Sequence, residues 1–234
     1  MAGEAEPGAG DVARWGFLTA RPHGGEGRAG PVPGSQRLGM GERRDGLLFV
    51  PRSYDPARPA PLLIALHGAG GQALHMLGPV EEAAERLGLL VLAPESRGRT
   101  WDVILKSYGP DVTFIDRALA RVLADFAVDG ERIAVGGFSD GASYALSLGI
   151  INGSLFSHIL AFSPGFAAPT EAHGSPKIFI SHGVRDEVLP IEQCGRRLAP
   201  RLREAGYDLD YREFADGHVV PPDMVQAALG RFLA

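Results

Sequence analysis

ERIAVGGFSDGASYALSLGI, residues 131–150, decides the fold. Arg132 to Gly136 is β-branched and apolar enough for a strand, and Ser139 to Ile151 is small and apolar at helical spacing. Between them Gly137-Phe138-Ser139-Asp140-Gly141 fits the pattern G-x-S-x-G, so Ser139 falls at a sharp strand-to-helix turn. The string alone is weak in a chain with 32 glycines; the strand before it and the helix after it carry the reading. A serine on such a strained turn projects its hydroxyl above a sheet edge, where the helix N-terminus favours developing negative charge.

Outward from this unit, strand and helix patterns alternate as a doubly wound parallel sheet requires. GLLFVP from Gly46 is a short apolar run. PLLIALHG, 61–68, is apolar at nearly every position, as expected of a strand covered on both faces. Helices are expected over Met76–Leu87, Thr113–Phe126, Glu192–Ala205 and Pro222–Leu233. Further strands are expected over Leu89–Ala93, His158–Phe162, Lys177–Ser181 and Asp208–Phe214. The fold class is therefore α/β, a mostly parallel central sheet with helices on both faces. Only about a dozen residues separate Phe162 from Lys177, too few for a helical cap, so an open site is expected. Residues 1–40 are rich in Gly and Pro and are expected to form a tail or an edge hairpin, with Trp15–Ala20 as a short strand; residues 41–234 form the domain.

A serine hydroxyl is a weak nucleophile until a base takes its proton. In a sheet of this type base and acid follow the serine in the order acid, then histidine, which excludes His23, His67 and His75. His218, in FADGHVVPP after the last strand, lies on a loop able to swing over the sheet edge and is the expected base. Asp186, in the turn after KIFISHG, is the expected acid that orients it, with Glu187 and Asp216 as alternatives. His182 is expected to support the acid's loop. Acyl transfer needs donors for a tetrahedral oxyanion. The amide of Asp140 supplies one, and LHGAGG, 66–71, supplies the other through Ala69, with Gly70 as second choice. Expected substrate contacts are Gly70, Trp101, Phe138 and Leu189, Trp101 being equally readable as a core aromatic.

Composition narrows the class. A chain of 234 residues, 45% hydrophobic, supplies one large core. The net charge of −5 leaves no basic surplus for nucleic acid or an anionic membrane. Cys194 is the only cysteine, so no intramolecular disulfide forms, and no zinc cluster or ligand-spaced histidine pair exists; no metal or cofactor is expected. HGAGGQ lacks the G-K-[ST] ending of a phosphate loop. With neither a signal-like apolar run nor a membrane span, a cytoplasmic location is the expectation.

LHGAGG, GFSDGASYALSLG, HGVRDEVLP and the late ADGH together make the chain resemble the phospholipase/carboxylesterase group of α/β-hydrolases, from about Gly46 to the C-terminus. It is also similar to polyhydroxyalkanoate-depolymerase-like and feruloyl-esterase-like enzymes. The resemblance implies the same roles for Ala69, Ser139, Asp140, Asp186 and His218. One departure stands out: acyl-protein-thioesterase-like members tend to carry Gln where this chain has Asp140. The expected function is hydrolysis of a small-molecule or polymer-end carboxylic ester through a covalent acyl-enzyme. The alternatives are a thioesterase or polyester depolymerase using the same three residues, or a non-catalytic binding protein of this fold.

Overall fold

Continuous apolar runs separated by amphipathic stretches leave one arrangement that buries both faces of the strands, a sheet between two helical layers. A computed structural model describes residues 12–22, 32–105 and 107–234 and contains that arrangement. Eight strands, β1 (Gly34–Arg37), β2 (Gly46–Val50), β3 (Ala60–Leu66), β4 (Leu90–Pro94), β5 (Val128–Phe138), β6 (His158–Phe162), β7 (Lys177–Gly183) and β8 (Leu209–Phe214), lie in the order β1-β2-β4-β3-β5-β6-β7-β8. The pairs β1–β2 and β2–β4 are antiparallel; every later pair is parallel. The helices are α1 (Ala73–Leu87), α2 (Asp102–Leu105), α3 (Pro110–Asp125), α4 (Asp140–Ile151), α5 (Gly195–Glu204) and α6 (Pro222–Leu233).

Alternation along each strand divides the core in two. Leu62, Ile64 and Leu66 of β3 pack with α3, α4 and α5, whereas Leu63 and Ala65 pack with α1 and α6. All seven residues of β3 and all five of β4 are buried, which is why no hydrophobic-polar alternation shows in their sequence. Helix α4 is buried from Gly141 to Ile151, so its sequence is apolar all round. Proline stands at the first position of both α3 and α6, where the missing N–H has no partner to lose.

The chain runs from β3 outward to β4 and then returns to the other side of β3 with β5. That reversal opens a crevice at the carboxyl ends of β3 and β5, the place where ligands bind in open α/β sheets. The segment 163–176 between β6 and β7 contains no helix, so no cap covers the crevice from that side.

The expected strand over Trp15–Ala20 does not form. Arg14–Gly16 is a turn, and the next amides bond to side chains instead of a neighbouring strand: Leu18 N–H to Asn152 Oδ1 at 2.9 Å, Thr19 N–H to Asp116 Oδ1 at 2.7 Å. Leu18 and Ala20 are buried in the first core cluster. Strand β1 and helix α2 lack apolar periodicity and were not anticipated; of the expected 1–40 unit, residues 1–11 and 23–31, with His23, lie outside the described residues.

Candidate active site

Two close approaches and a set of backbone hydrogen bonds shape the turn that carries Ser139. The residue sits at φ 59° and ψ −119°, a conformation that costs a side-chain-bearing residue on the order of 1–3 kcal/mol. Its N–H donates to Phe162 O at 2.9 Å, and its carbonyl accepts from Ala142 and Ser143 at 3.0 Å, so the turn is held from β6 and from α4. A Cβ at Gly137 would stand 2.5 Å from Gly141 C, and one at Gly141 only 2.1 Å from Leu66 O. Strand, helix and β3 can converge only because both positions are glycine. Ser139 as a whole residue remains 8% exposed at the crevice.

The imidazole arrives from the far side of the sheet. Beyond β8 the residues before His218 are zipped to the loop after β7: Val184 N–H donates to Phe214 O and Arg185 N–H to Asp216 O, both at 2.9 Å. Gly183 permits this contact, since a Cβ there would lie 2.3 Å from Gly217 O. The two loops therefore deliver Asp186 and His218 as a unit. His218 Nδ1 lies 2.6 Å from Asp186 Oδ2, and His218 Nε2 lies 2.8 Å from Ser139 Oγ. The carboxylate assigns the tautomer: Nδ1–H donates to it, which leaves Nε2 as the acceptor of the serine proton. Phe138 packs against the imidazole with ring centroids 4.6 Å apart.

Asp186 is buried, yet it stays ionised. Burial raises its pKa, but amide donation from Leu189 at 2.8 Å, the His218 hydrogen bond and donation from Val188 at 3.0 Å outweigh it, and the carboxyl is held below its usual range. His182 braces the same loop from beneath. Its Nε2–H donates to Leu189 O at 2.8 Å and lies 3.3 Å from Asp186 Oδ2, while burial pushes its pKa down and keeps it neutral.

Across the crevice, the turn after β3 packs directly on the serine: a Cβ at Gly68 would lie 3.4 Å from Ser139 Cβ. Gly70 N–H is committed to Arg99 O at 2.7 Å and Gly71 N–H to Gly68 O at 3.0 Å, whereas the exposed Ala69 makes no such bond in the turn. Gly70 N–H is thus already engaged by Arg99 O, and Asp140 is the first residue of α4. The turn is braced by the segment after β4. Ser96 N–H donates to His67 Nε2 at 3.0 Å, Trp101 Nε1–H to His67 O at 2.8 Å, and Arg44 to Gly71 O at 2.7 Å. Thr100 Oγ1–H donates to Asp140 Oδ2 at 2.6 Å.

Ser139, Asp186 and His218 are thus brought together, with Ala69 and Asp140 at the same crevice. Trp101 is not a pocket wall: it is fully buried, stacked on Tyr144 at 5.1 Å and tied to the His67 carbonyl, so it is core beneath the turn. Phe138 touches the imidazole, which gives it a supporting place, and the half-buried Leu189 faces Gly165. Glu187 points to solvent, and Asp216 bonds the amide of Gly217 at 2.8 Å; neither reaches His218. Thr100 and Arg44 escaped sequence reasoning, because a Thr and an Arg in loops carry no signal until the fold brings them to residues 40 and 27 positions away. Among the described residues no group of three or more His, Cys, Asp or Glu is placed to hold a metal ion. Nor is any helix among them long and apolar enough to cross a membrane.

The family model described as Phospholipase/Carboxylesterase matches residues 105–233. Feruloyl esterase C of Emericella nidulans is 26% identical over 182 residues, 69% of this chain and 66% of that protein. Acyl-protein thioesterase 1 of Gibberella zeae is 30% identical over 122 residues, 47% of this chain and 52% of that protein. This chain thus spans between about half and two thirds of the length of these curated relatives. Among solved structures, the esterase PE8 superposes with a TM-score of 0.65 at 21% identity, covering 80% of this chain and 97% of that one, which shows the α/β-hydrolase fold.

Proposed function

The chain belongs to the phospholipase/carboxylesterase family, and from that premise we propose that it is a serine carboxylesterase in which Ser139 is nucleophile, His218 general base and Asp186 the orienting acid. The observation that carries the reading is the row of hydrogen bonds of 2.8 and 2.6 Å from hydroxyl to imidazole to carboxylate. As Ser139 Oγ attacks the ester carbonyl, its proton passes to His218 Nε2, and the imidazolium so formed is stabilised by Asp186. The amides of Ala69 and Asp140 receive the oxyanion. Collapse of the tetrahedral species expels the alkoxide, which takes the proton from Nε2, and the acyl group remains on Ser139. Water then attacks the acyl-enzyme with His218 again as base, releasing the acid and restoring the serine.

Nothing in this sequence calls for a metal or cofactor. The uncapped crevice favours small or polymer-end esters over a substrate that must be enclosed. Because relatives bear the names feruloyl esterase and acyl-protein thioesterase, feruloyl esters and acyl thioesters join the substrates to be tested. The test is hydrolysis of p-nitrophenyl acyl esters of graded length, alongside methyl ferulate and an acyl thioester. Turnover of short to medium acyl esters that disappears in Ser139→Ala supports the reading, and undiminished turnover in that variant overturns it.

A further inference from the structure

His67, the residue after β3, is buried with both ring nitrogens engaged. Ser96 N–H approaches Nε2 at 3.0 Å, and because a backbone amide can only donate, Nε2 carries no proton. The ring proton is therefore on Nδ1, which donates to Gly68 O at 2.7 Å. Burial, helped by Arg44 and His75, pushes the pKa of the ring down against the Gly68 hydrogen bond and Glu95, so the imidazole stays neutral in this tautomer. Trp101 holds its plane, with ring centroids 4.8 Å apart.

The carbonyl that accepts this proton sets the aim of the next amide. Gly68 O and Ala69 N–H belong to one trans peptide, so they point in opposite directions. Gly68 O also accepts from Gly71 N–H at 3.0 Å, closing a four-residue turn whose third residue, Gly70, has φ 67°. Gly71 leaves the room that this needs, since a Cβ there would lie 2.8 Å from Gly68 O and 3.0 Å from His67 Nδ1. With the carbonyl drawn onto the buried ring, Ala69 N–H opens on the side away from it. Ala69 is exposed, and its neighbour Gly68 abuts the nucleophile, where a Cβ would stand 3.4 Å from Ser139 Cβ. Rotation of the Gly68–Ala69 peptide would exchange the donor for a carbonyl oxygen, which repels an oxyanion.

We infer that His67 is a positioning residue for the oxyanion donor: its Nδ1–H holds the Gly68 carbonyl so that the Ala69 amide faces the developing charge. This rests on the esterase reading above and adds a residue to it. The two ring nitrogens can be tested apart. His67→Asn keeps an N–H in place of Nδ1–H and loses the acceptor for Ser96, whereas His67→Gln keeps that acceptor and loses the donor to Gly68 O. The probes are p-nitrophenyl butyrate and 1-butaneboronic acid, whose tetrahedral adduct with a serine hydroxyl places an oxygen where the oxyanion forms. In His67→Gln, kcat falls about ten-fold or more, KM stays within about two-fold, and the inhibition constant of the boronic acid rises in step with the loss in kcat. His67→Asn keeps most of kcat even where its thermal midpoint is the lower of the two. Activity that follows the midpoint instead, with His67→Asn the poorer enzyme, overturns the inference, as does unchanged kcat in folded His67→Gln. If neither variant folds, the nitrogen-15 chemical shifts of the His67 ring in the unmodified protein decide: a protonated Nδ1 upholds the role and a protonated Nε2 overturns it. No turnover of the ester by the unmodified protein, or turnover undiminished in Ser139→Ala, overturns the esterase reading and this role with it.

Discussion

Thr100 Oγ1–H donates to Oδ2 of Asp140 at 2.6 Å, joining the loop after β4 to the residue whose backbone amide follows Ser139. The same loop accepts Gly70 N–H through Arg99 O and holds His67 through Ser96 and Trp101. One segment, 95–101, therefore spaces the two amides assigned to the oxyanion, Ala69 and Asp140. A hydrogen bond to a charged acceptor contributes roughly 1.5–3 kcal/mol, enough for both stability and geometry to depend on it.

Thr100→Val deletes that bond while keeping the shape of the side chain. The expected result is a several-fold lower kcat with KM little changed, and a thermal midpoint lower by about 3–10 °C. Thr100→Ser, which keeps the hydroxyl, restores most of kcat. A midpoint that falls while kcat stays put would make the link a structural brace only.

Asp186→Asn tests the tautomer assignment. An amide in place of the carboxylate offers an N–H toward His218 Nδ1, which moves the imidazole proton to Nε2 and leaves it unable to accept from Ser139 Oγ. A loss of about 10⁴-fold in kcat at neutral pH is expected, with the fold retained, because the amides of Val188 and Leu189 keep an oxygen acceptor. Steady-state kinetics on a p-nitrophenyl ester decides it; a loss smaller than ten-fold would transfer the orienting role to another group.

The glycines of the turn make a paired prediction. Gly141→Ala places a Cβ 2.1 Å from Leu66 O and 2.5 Å from His67 O, both backbone atoms of β3 and its turn that cannot rotate away. Destabilisation of about 4 kcal/mol or more, or no folded protein, is expected. Gly230→Ala, in α6 with nothing within 4 Å of the new methyl group, is expected to stabilise by roughly 0.5–1 kcal/mol. Denaturant titration measures both, and equal effects would mean that β3 and α4 are not in the close contact described.

The parallel strands and Ser139, Asp186 and His218 were legible because each is written in local sequence: buried strands as unbroken apolar runs, the serine between a strand and a helix, the acid and base in loops after late strands. Trp101 was not, since one aromatic in a loop has the same local sequence whether it lines a cleft or fills a core; the hydrogen bond from its indole to His67 O decides between them. Nor was the path of Leu18 and Ala20, whose amides are satisfied by Asn152 and Asp116, residues about a hundred or more positions away. Helix starts differ by three residues from the expected ones at α1 and α3, which begin earlier, at Ala73 and Pro110, and at α5, which begins later, at Gly195. Hydrogen bonds distant in sequence that use a backbone group on at least one side are invisible to periodicity, and the bracing of the Ala69 turn consists of such bonds.

Acid sensitivity of the fold is predicted to centre on His158. It is buried at the start of β6, with Nδ1 near Ser157 Oγ at 3.1 Å, its ring edge-on to Phe232 and Nε2 without a partner. Burial first, then the nearby Lys177 and Arg231, drive its pKa down to about 4; Asp208 opposes them weakly. The unfolded chain binds this proton near pH 6.5 and the fold only near pH 4. The stability associated with the neutral ring is therefore complete above pH 6.5 and is lost as pH falls toward 4. Asp111 acts in the opposite sense: burial raises it to about 6, so its proton favours the fold as pH drops below 6. Replacing the histidine by leucine removes the first effect and leaves the second. The thermal midpoint of the unmodified protein should fall between pH 7 and pH 5, and that of His158→Leu should fall less or rise; parallel shifts in the two proteins would show that the imidazole is not the group responsible.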